Sequence, residues 1–257
     1  MMPILADDSV VAIESAHGTG IAIDLGTTTL VVQSVDLATG EALGVETALN
    51  PQAVHGTDVM SRIEFALAGG GPILTASIRE SLGALVGRLP RRESVRVVLL
   101  AGNTVMHHLF CGVDLTPLAS APFQGAHDGE RVFRPREIGW GLPEEATVHF
   151  LPCLGGFVGS DLLAGIMATG IADSTTLRAL VDLGTNGEIV LGNCQRILCA
   201  STAAGPAFEA GCIRMGMRAV SGAIAHVNAK RRRYAFATGG DENGPSPMVL
   251  SIDHAIA

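Results

Sequence analysis

Charge is scarce in this chain of 257 residues. Asp, Glu, Lys and Arg together make up 16% of it, against about 25% in an average globular domain. Hydrophobic residues reach 47%. A disordered or solvating chain needs the opposite balance. Positive charge is the scarcer sign: 17 Lys and Arg stand against 25 Asp and Glu, a formal net charge of −8. Proteins that grip nucleic acid are as a rule basic where they meet phosphate, so nucleic acid is not expected as a partner. Aromatic residues are only 4%, too few for single-strand stacking platforms. The 32 glycines and 12 prolines fall short of the roughly 25–30% combined share that marks low complexity.

Cysteine is sparse and odd in number, with five residues at 111, 153, 194, 199 and 212. There is no CxxC pair, and a small disulfide scaffold would be shorter and denser in cysteine. Cys194 and Cys199 have a spacing seen in plant-type ferredoxins, but Ser201, Thr202 and Ala203 offer no next ligand. No iron–sulfur cluster is therefore expected in this chain, and reduced thiols in a cytoplasm are. Cys153 and Cys199 read as small buried apolar residues. Adjacent His107 and His108 do not share a helix face, so they read as one packed and one partly exposed residue rather than a metal pair.

Several functional signatures are also missing. No GxxxxGK[ST] and no GxGxxG occurs, which removes the P-loop and Rossmann classes. No Ser-His-Asp or Cys-His arrangement emerges from spacing. The first residues, MMPILADDSVVAIESAHG, carry early acids and no basic stretch, unlike a secretory signal. Phe150 to Ala172 is long enough to span a bilayer. Yet Asp161 would sit near its middle at a cost of a few kcal/mol, and Pro152, Gly155, Gly156 and Gly159 punctuate it. The segment is expected to be a buried strand, a Gly-rich turn and a helix from near Ser160. No membrane association is expected.

What is present is a repeated pattern of elements. Residues 1–19 read as a leader. A β-meander is expected from Ile21, with a turn at Ala38-Thr39-Gly40. Residues 57–90 carry apolar positions at helical spacing, including Val59, Ile63, Leu67, Ile78, Leu82, Leu85 and Leu89. Gly69-Gly70-Gly71 reads as a loop between two helices. A buried strand follows at 95–100, then a helix through Leu109 with Asn103 as its N-cap. Residues 112–145 read as Pro- and Gly-punctuated loop. A second meander is expected from Leu180, a helix after Ser201, and a hairpin across Asn228 to Arg232 whose basic end is solvated.

The chemistry lies in an internal duplication. IAIDLGTTTLVV (21–32) and LVDLGTNGEIVL (180–191) share apolar–Asp–Leu–Gly–Thr–polar and then run into an apolar strand, a domain's length apart. A carboxylate at the end of a buried strand suits Mg2+, which takes few carboxylates and keeps its waters. Glycine lets backbone turn tightly against a phosphate. Successive N–H groups in such a turn make an anion-binding concavity, and threonine hydroxyls add donors. Two such hairpins would grip phosphates and metal from opposite sides.

The duplicated D-x-G-T resembles the acetate and sugar kinase, heat-shock chaperone and actin superfamily. More narrowly, the chain looks like the ATPase domain of the reductive activators of corrinoid proteins. The resemblance covers roughly residues 20–240 and runs through IAIDLGTTTLVV, NPQAVHGTDVMSRI (50–63), AGNTVMHHL (101–109), LPCLGGFVGSD (151–161), VDLGTNGEIVLGN (181–193) and STAAGPAFEAGCIRMGMRAVSGAI (201–224). It implies an α/β fold of duplicated ribonuclease-H-like, actin-like ATPase lobes: a first lobe over 20–178 and a second, incomplete one over 179–257. It implies ATP and Mg2+ as ligands, with Asp24 and Asp182 on the metal. Gly26, Thr27, Thr28, Thr29, Gly184, Thr185, Asn186 and Gly187 would hold phosphates. Glu188 would either position the attacking water or serve as a polar strand residue.

The function so implied is ATP-dependent return of a corrinoid protein from Co(II) to Co(I). The partners would be that corrinoid protein and a separate ferredoxin-type donor, with homodimerisation left open. The alternatives are a small-molecule kinase of the same superfamily and a non-catalytic fragment that binds a corrinoid protein. After Gly239-Gly240 the Gly-rich run of the family's adenosine motif is not matched, which is why the second lobe is expected to be incomplete.

Overall fold

The computed structural model describes residues 17–183, 187–202, 224–230, 233–238 and 249–251. The expected leader, the expected helix after Ser201, and Gly184, Thr185 and Asn186 lie outside the described residues, apart from the few residues before Gly20. The chain divides into two compact units, 1–203 and 204–257.

The first unit is built on a six-stranded sheet. Its strands are β1 (Thr19–Leu25), β2 (Thr29–Asp36), β3 (Ala42–Leu49), β4 (Val95–Gly102), β5 (Arg131–Phe133) and β6 (Thr147–Phe150). Their order is β3-β2-β1-β4-β6-β5. The expected meander, β1 to β3, pairs antiparallel, while β4 runs parallel to β1, and β6 to β4. A three-strand meander extended by parallel strands on the side of its first strand is the ribonuclease-H-like order. Alternation along β1 sends Ile21, Ile23 and Leu25 into the core and leaves Ala22 and Asp24 accessible on the other face, as a period of two demands.

Helices α1 (Val59–Phe65), α2 (Gly71–Val86) and α3 (Thr104–Cys111) complete the main core. Leu74, Ile78, Leu82 and Leu85 of α2 are all buried, and their spacing of three and four makes one face of the helix. Asp58 caps α1 through a reciprocal pair with Ser61. The three glycines at 69–71 lie at the expected break between two helices, which is a kink rather than an extended loop: Gly69, at φ 98° and ψ 0°, is non-helical between α1 and α2. Residues 112–145 are mostly irregular but supply the short edge strand β5.

The apolar segment near 150–172 is strand, turn and helix: β6, a loop, then α4 (Ser160–Thr169). Among the described residues no helix is long and apolar enough to cross a membrane. The second meander is β7 (Arg178–Leu183), β8 (Gly187–Asn193) and β9 (Arg196–Thr202), antiparallel throughout. It packs on α4 through a smaller core of Leu162, Ile166, Ile171 and Val190. Cys153 is buried as expected, but Cys199 is exposed, because β9 is largely accessible along its length. In the second unit β10 (Ile224–Lys230), β11 (Arg233–Thr238) and β12 (Val249–Ser251) form an antiparallel sheet, which includes the expected hairpin.

Candidate functional site

The site lies where β1, β4 and the loop after β6 end, at the carboxyl edge of the parallel strands, where open α/β sheets hold their ligands. Three chain segments meet there closely. A Cβ on Gly26 would stand 2.5 Å from the Thr29 carbonyl oxygen, so only glycine allows this tip to close on itself with Gly26 N–H donating to Thr29 O at 3.1 Å. A Cβ on Gly159 would meet Asn103 Cα and the Gly102 oxygen, both at 2.4 Å. Ser160 Oγ accepts from Gly102 N and donates to Gly102 O, each at 3.1 Å. The first residue of α4 is thus latched to the end of β4.

The tip of the β1–β2 hairpin is held from behind by buried donors. Asn50 Nδ2 donates to the Gly26 carbonyl at 2.8 Å, Asn50 N to the Thr28 carbonyl at 2.8 Å, and Arg62 Nη2 to the Thr27 carbonyl at 2.5 Å. In a trans peptide the N–H points opposite the carbonyl. Carbonyls tied inward therefore turn the N–H groups of Thr27, Thr28 and Thr29 away from the core, the orientation an anion-binding nest needs. Arg62 is completely buried. It also donates from Nε to Gly56 O at 3.0 Å and from Nη1 to Gln52 Oε1 at 3.1 Å. Burial lowers its pKa to about 10, with Asp58 opposing, so it stays a cation at neutral pH.

Four carboxylates converge in front of this tip. Asp24 leaves the end of β1, Asp161 the first turn of α4, and Asp182 and Glu188 are cross-strand partners on β7 and β8. The charges are coupled. Asp24 keeps solvent access, yet surrounding protein strips much of its hydration. That desolvation raises its carboxyl first, and the charge of Asp182 raises it further. Asp161 is pushed up to about 6, chiefly by burial; the Leu162 N–H opposes the shift, while Asp182 and Asp24 reinforce it. Glu188 is raised by burial, against a hydrogen bond donated by Ser201 Oγ at 3.1 Å, with Asp161 and Asp182 adding to the rise. Such mutual repulsion has a cause a cation removes.

Among the described residues no group of three or more His, Cys, Asp or Glu is spaced to hold a metal directly. The four carboxylates offer oxygen donors alone, the ligand chemistry that Mg2+ takes, through one or two carboxylates with its waters and substrate phosphates.

The structure places Asp24, Asp182 and Glu188 in one cluster, with Gly26, Thr27, Thr28 and Thr29 at one hairpin tip and Gly187 at the base of the other. Asp161, Asn50, Arg62 and Asn103 were not singled out by their chemistry. A carboxylate opening a helix just after a Gly-rich strand exit was the available signal for Asp161. His107 and His108 are both buried, contrary to the expectation of one exposed partner. Every residue of α3 is buried, so the helix has no solvent face. His107 is lowered to about 4 by burial and by His108, which keeps it neutral. Cys111 and Cys153, both raised to about 12 by burial, are not nucleophiles. A separate cavity of about 610 Å³ between α2 and α3 is lined by Thr75, Arg79, His108 and Asp114, among others, and by none of the four carboxylates.

A ribonuclease-H-like sheet whose first hairpin carries D-L-G-T, with a coupled cluster of acids at its carboxyl edge, defines the class: the fold of the acetate and sugar kinase, heat-shock chaperone and actin superfamily. Residues 19–174 match the family described as the RACo middle region, and residues 176–245 that described as the C-terminal domain of RACo, the ASKHA domain. The chain belongs to this family of reductive activators of corrinoid proteins. It is 35% identical over 226 residues to corrinoid activation enzyme RamQ of Eubacterium limosum, covering 84% of this chain and 37% of that one. It is 30% identical over 218 residues to the [Co(II) methylated amine-specific corrinoid protein] reductase of Methanosarcina barkeri, covering 81% and 40%. The solved structure of a reductive activator for corrinoid,iron-sulfur protein superposes with a TM-score of 0.77 at 34% identity, covering 87% of this chain and 37% of that one. The chain spans less than half the length of these relatives.

Proposed function

We propose that this chain is the nucleotide-binding part of an ATP-dependent reductive activator, acting in the cytoplasm on a corrinoid protein. The coupled carboxylate cluster in front of the clamped Gly26–Thr29 tip carries this reading. Phosphate oxygens dock against the outward N–H groups of the tip and against the second hairpin, Gly184 to Gly187. Asp24 and Asp182 hold Mg2+, which when bound neutralises phosphate charge and relieves the repulsion among the carboxylates. A water attacks the γ-phosphorus, the bond to the bridging oxygen breaks, and ADP leaves with the electron pair. Asp161, with a pKa near the working pH, suits the role of proton acceptor. Glu188, anchored by Ser201, orients the water.

The free energy biases one conformation of the activator–corrinoid complex, which requires different affinities for the two states. One electron from a separate ferredoxin-type donor then takes Co(II) to Co(I). In this organisation residues 20–178 form the first lobe and 179 onward the beginning of the second.

Two measurements test this. Thermal melting of the chain with Mg-ATP should show a concentration-dependent rise, since a ligand of the native state alone must stabilise it. The visible spectrum of a Co(II) corrinoid protein supplied with the chain, ATP and a reduced ferredoxin should convert to that of Co(I). An unmoved melting curve overturns nucleotide binding. Phosphorylation of an added small acceptor would make the chain a kinase instead.

A further inference from the structure

We propose that Asn103 is a positioning residue for the nucleotide: it fixes the direction in which the Thr27 hydroxyl gives its proton, so that this proton points at the bound phosphate. The proposal rests on the phosphate-binding reading of the β1–β2 hairpin.

Asn103 caps α3, with its Oδ1 accepting from Met106 N at 3.0 Å. A backbone N–H can only donate, so the atom facing it must be the amide oxygen. This removes the ordinary ambiguity of an asparagine side chain. The other amide atom, Nδ2, therefore faces Thr27 Oγ1, at 2.9 Å. Nδ2 carries two protons and no acceptor lone pair. Thr27 must then accept from Asn103 and cannot donate to it. The threonine is itself buried, and its carbonyl is tied to Arg62 on the core side. The hydroxyl proton is left for an acceptor other than Asn103. One hydrogen bond from a helix cap thus makes a two-way hydroxyl into a one-way donor.

The cap itself is held in place. Gly102 before it is bonded on both sides by Ser160, and Thr104 after it donates to Gly155 O at 2.6 Å. Asn103 stands at the seam between β1, β4 and α4, so it has little freedom to turn.

The test is a double-mutant cycle on Mg-ATP affinity, measured by calorimetry on the whole chain. Asn103→Asp keeps the cap oxygen but replaces the donor by a second acceptor, to which the Thr27 hydroxyl would turn its proton. Asn103→Ser keeps a good cap and is too short to reach Thr27. Each should weaken binding roughly tenfold, the size of one hydrogen bond to a charged group. Thr27→Val should lose a similar factor, and Thr27→Ser should retain affinity. In the Thr27→Val background, the uncharged Asn103→Ser should cause no further loss.

Additive losses in the double variant, or full affinity in both Asn103 variants, would overturn the positioning role while leaving the phosphate reading intact. No binding by the unaltered chain would overturn the phosphate reading and this proposal with it. A merely structural Asn103 would lower the melting temperature equally with and without the Thr27 hydroxyl, and its effect on affinity would not vanish in the Thr27→Val background.

Discussion

Replacing Asp161 by Asn should make the ligand-free chain more stable at neutral pH, although the residue is half-buried at the centre of the site. The side chain keeps its size and keeps an oxygen for the Leu162 N–H, which donates to Asp161 Oδ1 at 2.8 Å. Only the charge is lost. The carboxyl is raised from 3.8 to about 6 in the folded state. The folded chain therefore binds more protons than the unfolded chain between these values, and stability falls as pH rises through that window. A shift of about two units corresponds to about 3 kcal/mol at full ionisation. Partial exposure and salt screening reduce this, so a gain of roughly 1–3 kcal/mol is expected at pH 7.5. Urea unfolding should show it as a midpoint raised by about 0.5–1 M. At about pH 2.5 the two proteins should unfold together, because the wild-type carboxyl is then protonated in both states. A variant less stable than wild type at pH 7.5, or a gain that persists at about pH 2.5, would refute electrostatic strain at Asp161.

Asp24→Asn should leave the fold intact and weaken Mg-nucleotide binding, and calorimetry finding unchanged affinity would remove Asp24 from the metal. Arg62→Met should cost about 3–5 kcal/mol, since it leaves the Thr27, Gly56 and Gln52 acceptors buried without their donor; differential scanning calorimetry should register a fall on the order of 10 °C. His107→Phe should flatten the acid side of the stability profile. The wild-type imidazole, lowered to about 4, contributes stability above its unfolded value near 6.5 that is lost as pH falls toward 4; urea titrations over that range would expose a profile that does not change.

The parts legible in the sequence were those written twice or written periodically. Asp24 and Asp182 stand in matching strings, and strict alternation in IAIDL fixes which side of β1 meets the core. The helix after Gly159 was legible because glycine and proline punctuate its approach. Asp161 reads in the sequence as one charge in an apolar run, with nothing beside it that marks chemistry. Nothing local shows that α4 begins beside β1 and β7, since that adjacency arises only when the sheet closes. Arg62 and Asn103 act through backbone carbonyls and one hydroxyl from distant segments, and such partners leave no spacing to read. The histidine pair failed for a related reason: face-by-face logic assumes a solvent side, and α3 has none. Gly69-Gly70-Gly71 was legible as a break, since Gly69 takes a positive φ that leaves the helical region between α1 and α2.

The two D-L-G-T hairpins close differently. Leu25 pairs with Leu30 across four tip residues, while Leu183 pairs with Gly187 across three. Because side chains alternate along a strand, a difference of one residue exchanges the two faces of the returning strand. Matched to the first copy, Asp182 would stand opposite Ile189; the shorter tip sets Glu188 there instead. The duplicated halves are therefore not interchangeable parts. Grafting the longer first tip onto the second hairpin would rotate Glu188 off the acidic face and bring an isoleucine in its place. A turn closed one residue earlier is enough to make the second hairpin set a carboxylate opposite its Asp182 where the first sets Val31 opposite Asp24.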